Sequence, residues 1–376
     1  MHLCLSYLLC LHAGKEWKSG IYVDGSKLNH KMPEDETTGE SGEEREEEVV
    51  LFGYEEELKE AQSALNEYLW GKHKNIAIVS DPFAGRSTLV EYLARDYLTT
   101  TIAFNSVMTE KAFISTLHDA NNIIVMENCH FLAMRKIGGF AQLDEFLKFL
   151  SKSDKLFITT WNTYSWSYLS AVKNLDEFFP KVIRLEPMNA ESLKKMILSH
   201  YGNNIEYIDD AASKEKKLSI SWKFAHIKIP FSSTTRTLPW PYLDLSSIFH
   251  KKKQENAEKL IFDRLTRVSD GSPGIARKIW DASIDYPKIR LSSIKEPTFD
   301  TDLSINEAFL LGIILTMEKI EPGDLAEIAG PEIDVEESLY ILMNRELVAR
   351  EEGYYIINYR ALKSVKSYLE LNRMVW

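Results

Sequence analysis

The stretch Ile76-Ala-Ile-Val-Ser-Asp-Pro-Phe-Ala-Gly-Arg-Ser-Thr88 decides how the rest of the chain is read. Residues that suit a buried strand run into a turn holding Pro82 and Gly85, and a helical pattern begins at Arg86. A strand, a glycine turn and a helix in that order are the context of a phosphate loop, whose full pattern is G-x-x-x-x-G-K-[ST]. Here Ser80 stands for the first Gly and Arg86 for the Lys, while Gly85, Ser87 and Thr88 fit. Each retained residue has a reason. Backbone N–H groups at a helix N-terminus bind anions, Gly85 lets the backbone approach a phosphate closely, and Ser87 offers a hydroxyl to Mg²⁺. Arg86 keeps the positive charge, as a wide planar fork rather than a compact ammonium. Asp81 adds negative charge inside the loop. The same Gly and Ser would also serve a plain strand-to-helix turn, so the surroundings have to decide.

Around this stretch, five short apolar runs alternate with helical periodicity: Asn75–Ser80, Thr101–Asn105, Asn122–Glu127, Lys155–Trp161 and Lys181–Leu185. Between them lie segments such as Arg86–Tyr97 and Gln142–Leu150, with apolar residues three and four apart. Strands alternating with helices imply an α/β fold, a parallel sheet covered on both faces. The run Ile123-Ile-Val-Met-Glu-Asn128 ends in an acid where a metal-holding strand would place one, and Glu127 there can hold Mg²⁺ through water. The fourth strand ends in Thr159-Thr-Trp-Asn162. Strand-end turns use the same residue types without any ligand.

Beyond the fifth run, Asn189 reads as the N-cap of a helix over Ala190–Tyr201. Residues 203–254 are mixed and read as an insertion, and helices over Ala257–Val268 and Ile275–Ile284 make a small lid. A linker follows from Pro287 to Thr301. The tail gives helices over Ile305–Met317, Pro322–Ile328, Val335–Glu346 and Ala361–Leu371, with a hairpin turning at Glu352-Gly353. That order is a winged helix-turn-helix. The expected organisation is therefore a disordered extension (1–48), a P-loop NTPase core (49–202), insertion and helical lid (203–286), linker (287–301) and winged helix domain (302–376).

Composition narrows the function classes. The net charge of the 376 residues is −11, and it is unevenly spread: Glu34 to Glu48 holds nine acids and one Arg, and the last 76 residues hold fourteen acids against seven bases. Such a chain does not coat nucleic acid non-specifically, because that affinity comes from Lys and Arg displacing counterions. Cys4, Cys10 and Cys129 suit neither a disulfide framework nor a zinc site, which points to a reducing compartment. Leu3 to Leu11 is apolar but lacks a charged leader, and no stretch is long enough to span a bilayer. The expectation is a soluble, cytoplasmic protein.

Taken in order, these elements resemble archaeal and bacterial AAA+/STAND-like ATPases, whose ATPase domain is close to origin-recognition ATPases. The resemblance covers roughly residues 49–376. It is carried by the loop, by Glu127-Asn-Cys-His-Phe-Leu, Ile137-Gly-Gly-Phe140, Thr159-Thr-Trp-Asn162 with Ser165-Trp166, and the closing winged helix. It implies ATP or ADP bound with Mg²⁺. By position, Ser80, Pro82, Gly85, Arg86, Ser87 and Thr88 form the phosphate loop, with Ser87 and Glu127 at the metal. Asn128 stands where a catalytic Glu is usual, and Asn162 where a polar residue senses the γ-phosphate. Phe52-Gly-Tyr54 resembles the short box that contacts adenine, which makes Tyr54 a cofactor contact, and Gly271-Ser-Pro273 resembles the lid's Gly-x-Pro element. Arg135 and Arg184 are arginine-finger candidates by residue type alone. Arg86 and Asn128 depart from the family pattern and argue for slow hydrolysis, since an amide does not accept a proton as a carboxylate does.

A winged helix commonly binds DNA with its third helix. Here that helix opens with Asp334, Glu336 and Glu337, which suit the helix dipole but repel phosphates. Docking on a protein, including the chain's own slightly basic ATPase domain, is the preferred expectation. A DNA-binding regulator, a scaffold with a dead nucleotide site and a nucleotide-dependent homo-oligomer remain alternatives.

Overall fold

The structure is a computed structural model that describes residues 21–24, 51–109, 113–201, 204–210, 224–228, 235–239, 246–300 and 302–375. The sheet predicted from the apolar runs is present, and it holds one strand more than expected. Its strands are β1 (Ile21–Asp24), β2 (Ile76–Ser80), β3 (Thr99–Phe104), β4 (Ile123–Glu127), β5 (Leu156–Asn162) and β6 (Lys181–Arg184). They lie in the order β1-β3-β4-β5-β2-β6. All neighbours from β3 to β6 are parallel, and β1 runs antiparallel to β3 at the edge. Every residue of β2 and β5 is buried, as expected of strands covered on both faces. A parallel sheet whose first strand carries the glycine turn and lies between its fourth and fifth is the α/β P-loop NTPase architecture.

Helices α1 (Glu55–Leu69), α2 (Arg86–Ala94), α3 (Phe113–Asp119), α4 (Ala141–Leu150), α5 (Thr163–Lys173) and α6 (Leu175–Phe178) cover the sheet. In α4 the buried Leu143, Phe146, Leu147 and Leu150 recur at three- and four-residue spacing, so one stripe faces the core. Below β5, Trp161, Trp166 and Phe179 meet edge to face with ring centroids 5.6–6.0 Å apart.

Residues 188–296 form a second compact unit. It contains α7 (Ala190–Tyr201), β7 (Glu206–Ile208), the hairpin β8 (Phe224–Lys228) and β9 (Thr235–Pro239), α8 (Ser246–Ser269), α9 (Pro273–Ser283), β10 (Ile284–Asp285) and β11 (Lys288–Arg290). Asn189 Oδ1 accepts the Ser192 N–H at 2.8 Å, the N-cap expected there. Phe262 stacks on Trp280 in its core at 5.2 Å.

The chain then rejoins the sheet unit, which comprises the described residues up to 187 and from 297 onward. Here α10 (Ile305–Met317), β12 (Lys319–Ile320), α11 (Pro322–Ala329), α12 (Val335–Asn344), β13 (Val348–Glu351), β14 (Tyr354–Ile357) and α13 (Leu362–Leu371) follow the order expected of a winged helix. The strands pair as β12-β14-β13. A reciprocal capping box of Ser304 and Glu307 opens α10, which satisfies two donors that a helix start leaves orphaned.

Three boundaries differ from the sequence reading. The extension read as disordered contributes β1, where Ile21-Tyr22-Val23 has the β-branched and aromatic character of a strand; most of residues 1–48 lies outside the described residues. Helix α7, assigned to the core, packs with α8 and α9 instead. The linker read from Pro287 begins later, because β11 pairs with β7 and β10.

Candidate phosphate site

The sheet order brings the predicted residues to one edge. Ser80, Asn162 and Glu127 end the neighbouring strands β2, β5 and β4, with Ser80 paired to Asn162. Between β2 and α2 the chain turns through Phe83 at φ 64° and Gly85 at φ 91°, ψ 28°. Glycine adopts that left-handed conformation at no steric cost. The start of α2 carries no side-chain cap, so the N–H groups of its first turn keep their capacity for an anion. Tyr54 is buried, and its hydroxyl donates to the Ala84 carbonyl at 2.9 Å, pinning the loop from below. Burial first, then Glu57 and Glu186, raise its phenol well above the ordinary range, so it stays a donor. Pro82 is buried within the turn, and Thr88 is exposed on the first turn of α2.

The two metal candidates stand together: the Ser87 hydroxyl donates to the Glu127 carboxylate. Asn128 takes the left-handed conformation that asparagine tolerates, at φ 59°. Its N–H donates to Thr160 Oγ1 at 2.8 Å and its amide to the Phe104 carbonyl at 3.2 Å. The residue at the expected catalytic position therefore ties the end of β4 to β3 through its side chain and to β5 through its backbone.

Arg86 departs furthest from expectation. It is buried, and Nη1 donates to the carbonyls of Ser80 at 3.0 Å and Trp161 at 2.8 Å. Its Nη2 is ion-paired with Glu318, which follows α10 in the C-terminal segment. Asn162 is fully buried; Oδ1 caps α5 by accepting the Tyr164 and Ser165 N–H groups, and Nδ2 donates to Glu318 Oε1 and the Leu315 carbonyl, both at 3.0 Å. The residues read as phosphate contact and sensor thus share one carboxylate. Burial pushes the Glu318 carboxyl upward, but Arg86, His130 and the hydrogen bonds from Arg86 and Asn162 outweigh it and hold the group below the ordinary range.

More contacts join the same two parts. Lys366 of α13 pairs with Asp81 in the loop, the Ser165 hydroxyl donates to the Thr316 carbonyl at 2.5 Å, and the Tyr164 hydroxyl donates to Glu370 at 3.0 Å. Lys136 meets Glu327 at 2.7 Å. Glu318 and Lys366 escaped the sequence reading because nothing in their local patterns differs from an ordinary helix end or helix face. Of the finger candidates, Arg135 lies over the Tyr168 ring at 4.0 Å and Arg184 is exposed.

The residues suit Mg²⁺ and phosphate in part. A hydroxyl beside a carboxylate is a hard oxygen donor set, and Mg²⁺ takes one or two protein carboxylates together with phosphates and water. No cluster of three or more His, Cys, Asp or Glu able to hold a metal occurs among the described residues. No helix among them is long and apolar enough to cross a membrane.

No protein-family model matches the chain, and no curated protein matches it. Solved structures similar to it include the RuvB Holliday junction branch migration motor of Thermotoga maritima, at 15% identity, covering 84% of this chain and 95% of that one, TM-score 0.40. A Walker-type ATPase of Pyrococcus abyssi shares 11% identity over 84% of this chain and 95% of its own, TM-score 0.37. Cdc6p from Pyrobaculum aerophilum shares 13% over 85% and 93%, TM-score 0.37. None of these carries a functional argument, and the architecture stands on the strand order and loop geometry above.

Proposed function

We propose that the chain is an ATP-binding, AAA+/STAND-like nucleotide switch with slow hydrolysis, whose C-terminal winged-helix segment is a protein-docking module. The observation that carries the reading is the loop: Gly85 in the left-handed conformation opens α2 with its first-turn donors uncapped, beside the Ser87–Glu127 pair. Gly85, Arg86, Ser87 and Thr88 would meet the phosphates. Ser87 and Glu127 would hold Mg²⁺, whose charge offsets that of the phosphates. Slow hydrolysis is supported by Asn128, whose amide is committed to the Phe104 carbonyl and supplies no base. The docking role is supported by the ion pairs and hydrogen bonds that seat the C-terminal segment on its own sheet domain.

Isothermal titration of the full chain with Mg·ATP and Mg·ADP tests the reading. Saturable binding is expected, and Gly85→Val should abolish it, since valine disfavours positive φ and its side chain would obstruct the close approach of backbone to phosphate. A wild-type chain that binds neither nucleotide at ~1 mM, the weak end of ordinary affinities, would leave a scaffold with a dead site.

A further inference from the structure

We propose that Glu318 is a built-in substitute for the terminal phosphate of a nucleoside triphosphate, so that docking of the C-terminal segment and binding of the triphosphate exclude each other. The inference rests on the nucleotide reading above and adds the regulation of that site.

One oxygen, Glu318 Oε1, accepts from both Arg86 Nη2 and Asn162 Nδ2. These are the loop's cation and the polar end of the neighbouring strand, the two side chains that the nucleotide reading aims at the terminal phosphate. A carboxylate satisfies them as a phosphate oxygen does, with negative charge and lone pairs for a guanidinium and an amide. The guanidinium side chain is only 8% exposed, and a buried cation left without an anion is costly. Arg86 therefore requires an anionic partner in either state, and exchanging Glu318 for phosphate keeps it paired.

The backbone at Glu318 supports the same assignment. Its φ of 61° and ψ of −45° are sparsely populated for a residue with a side chain and are strained. A conformation of that kind persists where the surroundings over-determine it. Here it joins α10 to β12 and places the carboxylate on the end of β5.

Among the described residues, no hydrogen bond or ion pair joins Gly85, Ser87, Thr88 or Glu127 to the C-terminal segment. The cover therefore falls on the terminal-phosphate position and spares the donors of the first helical turn. Lys366 also neutralises Asp81, the one loop residue that repels phosphate. A triphosphate needs the carboxylate withdrawn, whereas a diphosphate needs less of the site.

The experiment is isothermal titration of the full chain, wild type, Glu318→Ala, Glu318→Gln and Lys366→Met, with Mg·ATP and Mg·ADP. Docking is followed by energy transfer between dyes at Glu145→Cys and Glu336→Cys, both exposed, in a Cys4→Ser, Cys10→Ser background. Clearing the plug with Glu318→Ala should tighten Mg·ATP by about tenfold or more and Mg·ADP by less than about threefold, a selectivity readable as separate Kd values. Lys366→Met loosens the docking but also unmasks the Asp81 carboxylate, so its readout is the energy transfer without nucleotide, which should move toward that of Glu318→Ala. Mg·ATP should change the energy transfer in the wild type, and Mg·ADP should change it less. Thermal melting of Glu318→Gln, the near-isosteric variant, guards against misfolding of the alanine variant. Unaltered ATP affinity in both Glu318 variants, with saturable binding and constant energy transfer, overturns the plug and leaves the nucleotide reading standing. Equal tightening of ATP and ADP overturns the placement of Glu318 at the terminal phosphate. Absence of nucleotide binding even with Glu318 removed sinks both.

Discussion

At Arg86 a guanidinium replaces the lysine ammonium of the loop pattern, and its geometry explains its posture. A planar fork can donate to two strand-end carbonyls and a carboxylate at once, as Arg86 does with Ser80, Trp161 and Glu318. Close to this cluster, His130 is buried, no side chain hydrogen-bonds either ring nitrogen, and the Met317 backbone is its nearest polar neighbour. Burial lowers it to about 4, with Arg86 and Lys319 pushing the same way and Glu318 opposing. The sign follows from proton counts. Between the unfolded pKa of about 6.5 and the folded value, the unfolded chain binds a proton that the folded chain refuses, so stability falls as pH drops through that window. The whole effect is about 3 kcal/mol. Urea unfolding from pH 7 to 4.5 should therefore show a steeper loss of stability for the wild type than for His130→Leu. Identical pH profiles would mean that His130 finds a partner for its proton.

Among the elements, α12 matters most for the choice between DNA and protein. Its outward residues Glu336, Glu337, Tyr340, Met343 and Asn344 are exposed, and they present acid, ring and thioether rather than cations. The helix itself holds no base, and Arg345 at its C-cap is already committed: it donates to the Asp302 carbonyl and lies 4.0 Å from the Glu307 carboxylate, fastening the end of α12 to the start of α10. A DNA reader needs cationic contacts to hold register before it can read bases. The full chain should accordingly show no saturable binding to duplex DNA at ~1 μM and physiological salt, the tight end of non-specific affinity. Sub-micromolar binding that survives that salt and weakens in Arg345→Ala would reinstate the DNA regulator. The acids have a different use in part, since Glu318, Glu327 and Glu370 face Arg86, Lys136 and Tyr164 of the sheet domain.

On the scale of the whole molecule, the C-terminal segment belongs to the same compact unit as the sheet, while residues 188–296 form their own. The Arg86–Glu318 pair is central to that union, because removing one partner of a buried pair costs about 3–5 kcal/mol through the charge left behind. Calorimetry with hydrogen exchange to assign each transition should show at most two in the wild type, with residues 302–375 melting together with 51–187. Glu318→Ala should split the C-terminal segment into a transition of its own. A wild-type segment that already melts alone would show that the docking contacts contribute little.

The amino-acid sequence determined by itself what depends on local pattern. Buried parallel strands need unbroken apolar runs, and β2, β4 and β5 could be read, to within a residue at each end, from Asn75–Ser80, Asn122–Glu127 and Lys155–Trp161. Gly85 was legible because a tight strand-to-helix turn with a close backbone approach favours a residue without a side chain, and Asn189 because a cap has a fixed offset from its helix. Partners distant along the chain were decided by the tertiary structure alone. Glu318 is 232 residues from Arg86 and 156 from Asn162, and no periodicity links them. An edge strand as short as Ile21–Asp24 shows its role only when β3 is beside it, because a strand exists through its pairing. Whether an acid is a solvated surface charge or the partner of a buried guanidinium depends on what the fold sets opposite it, and charge interactions act through space rather than along the sequence.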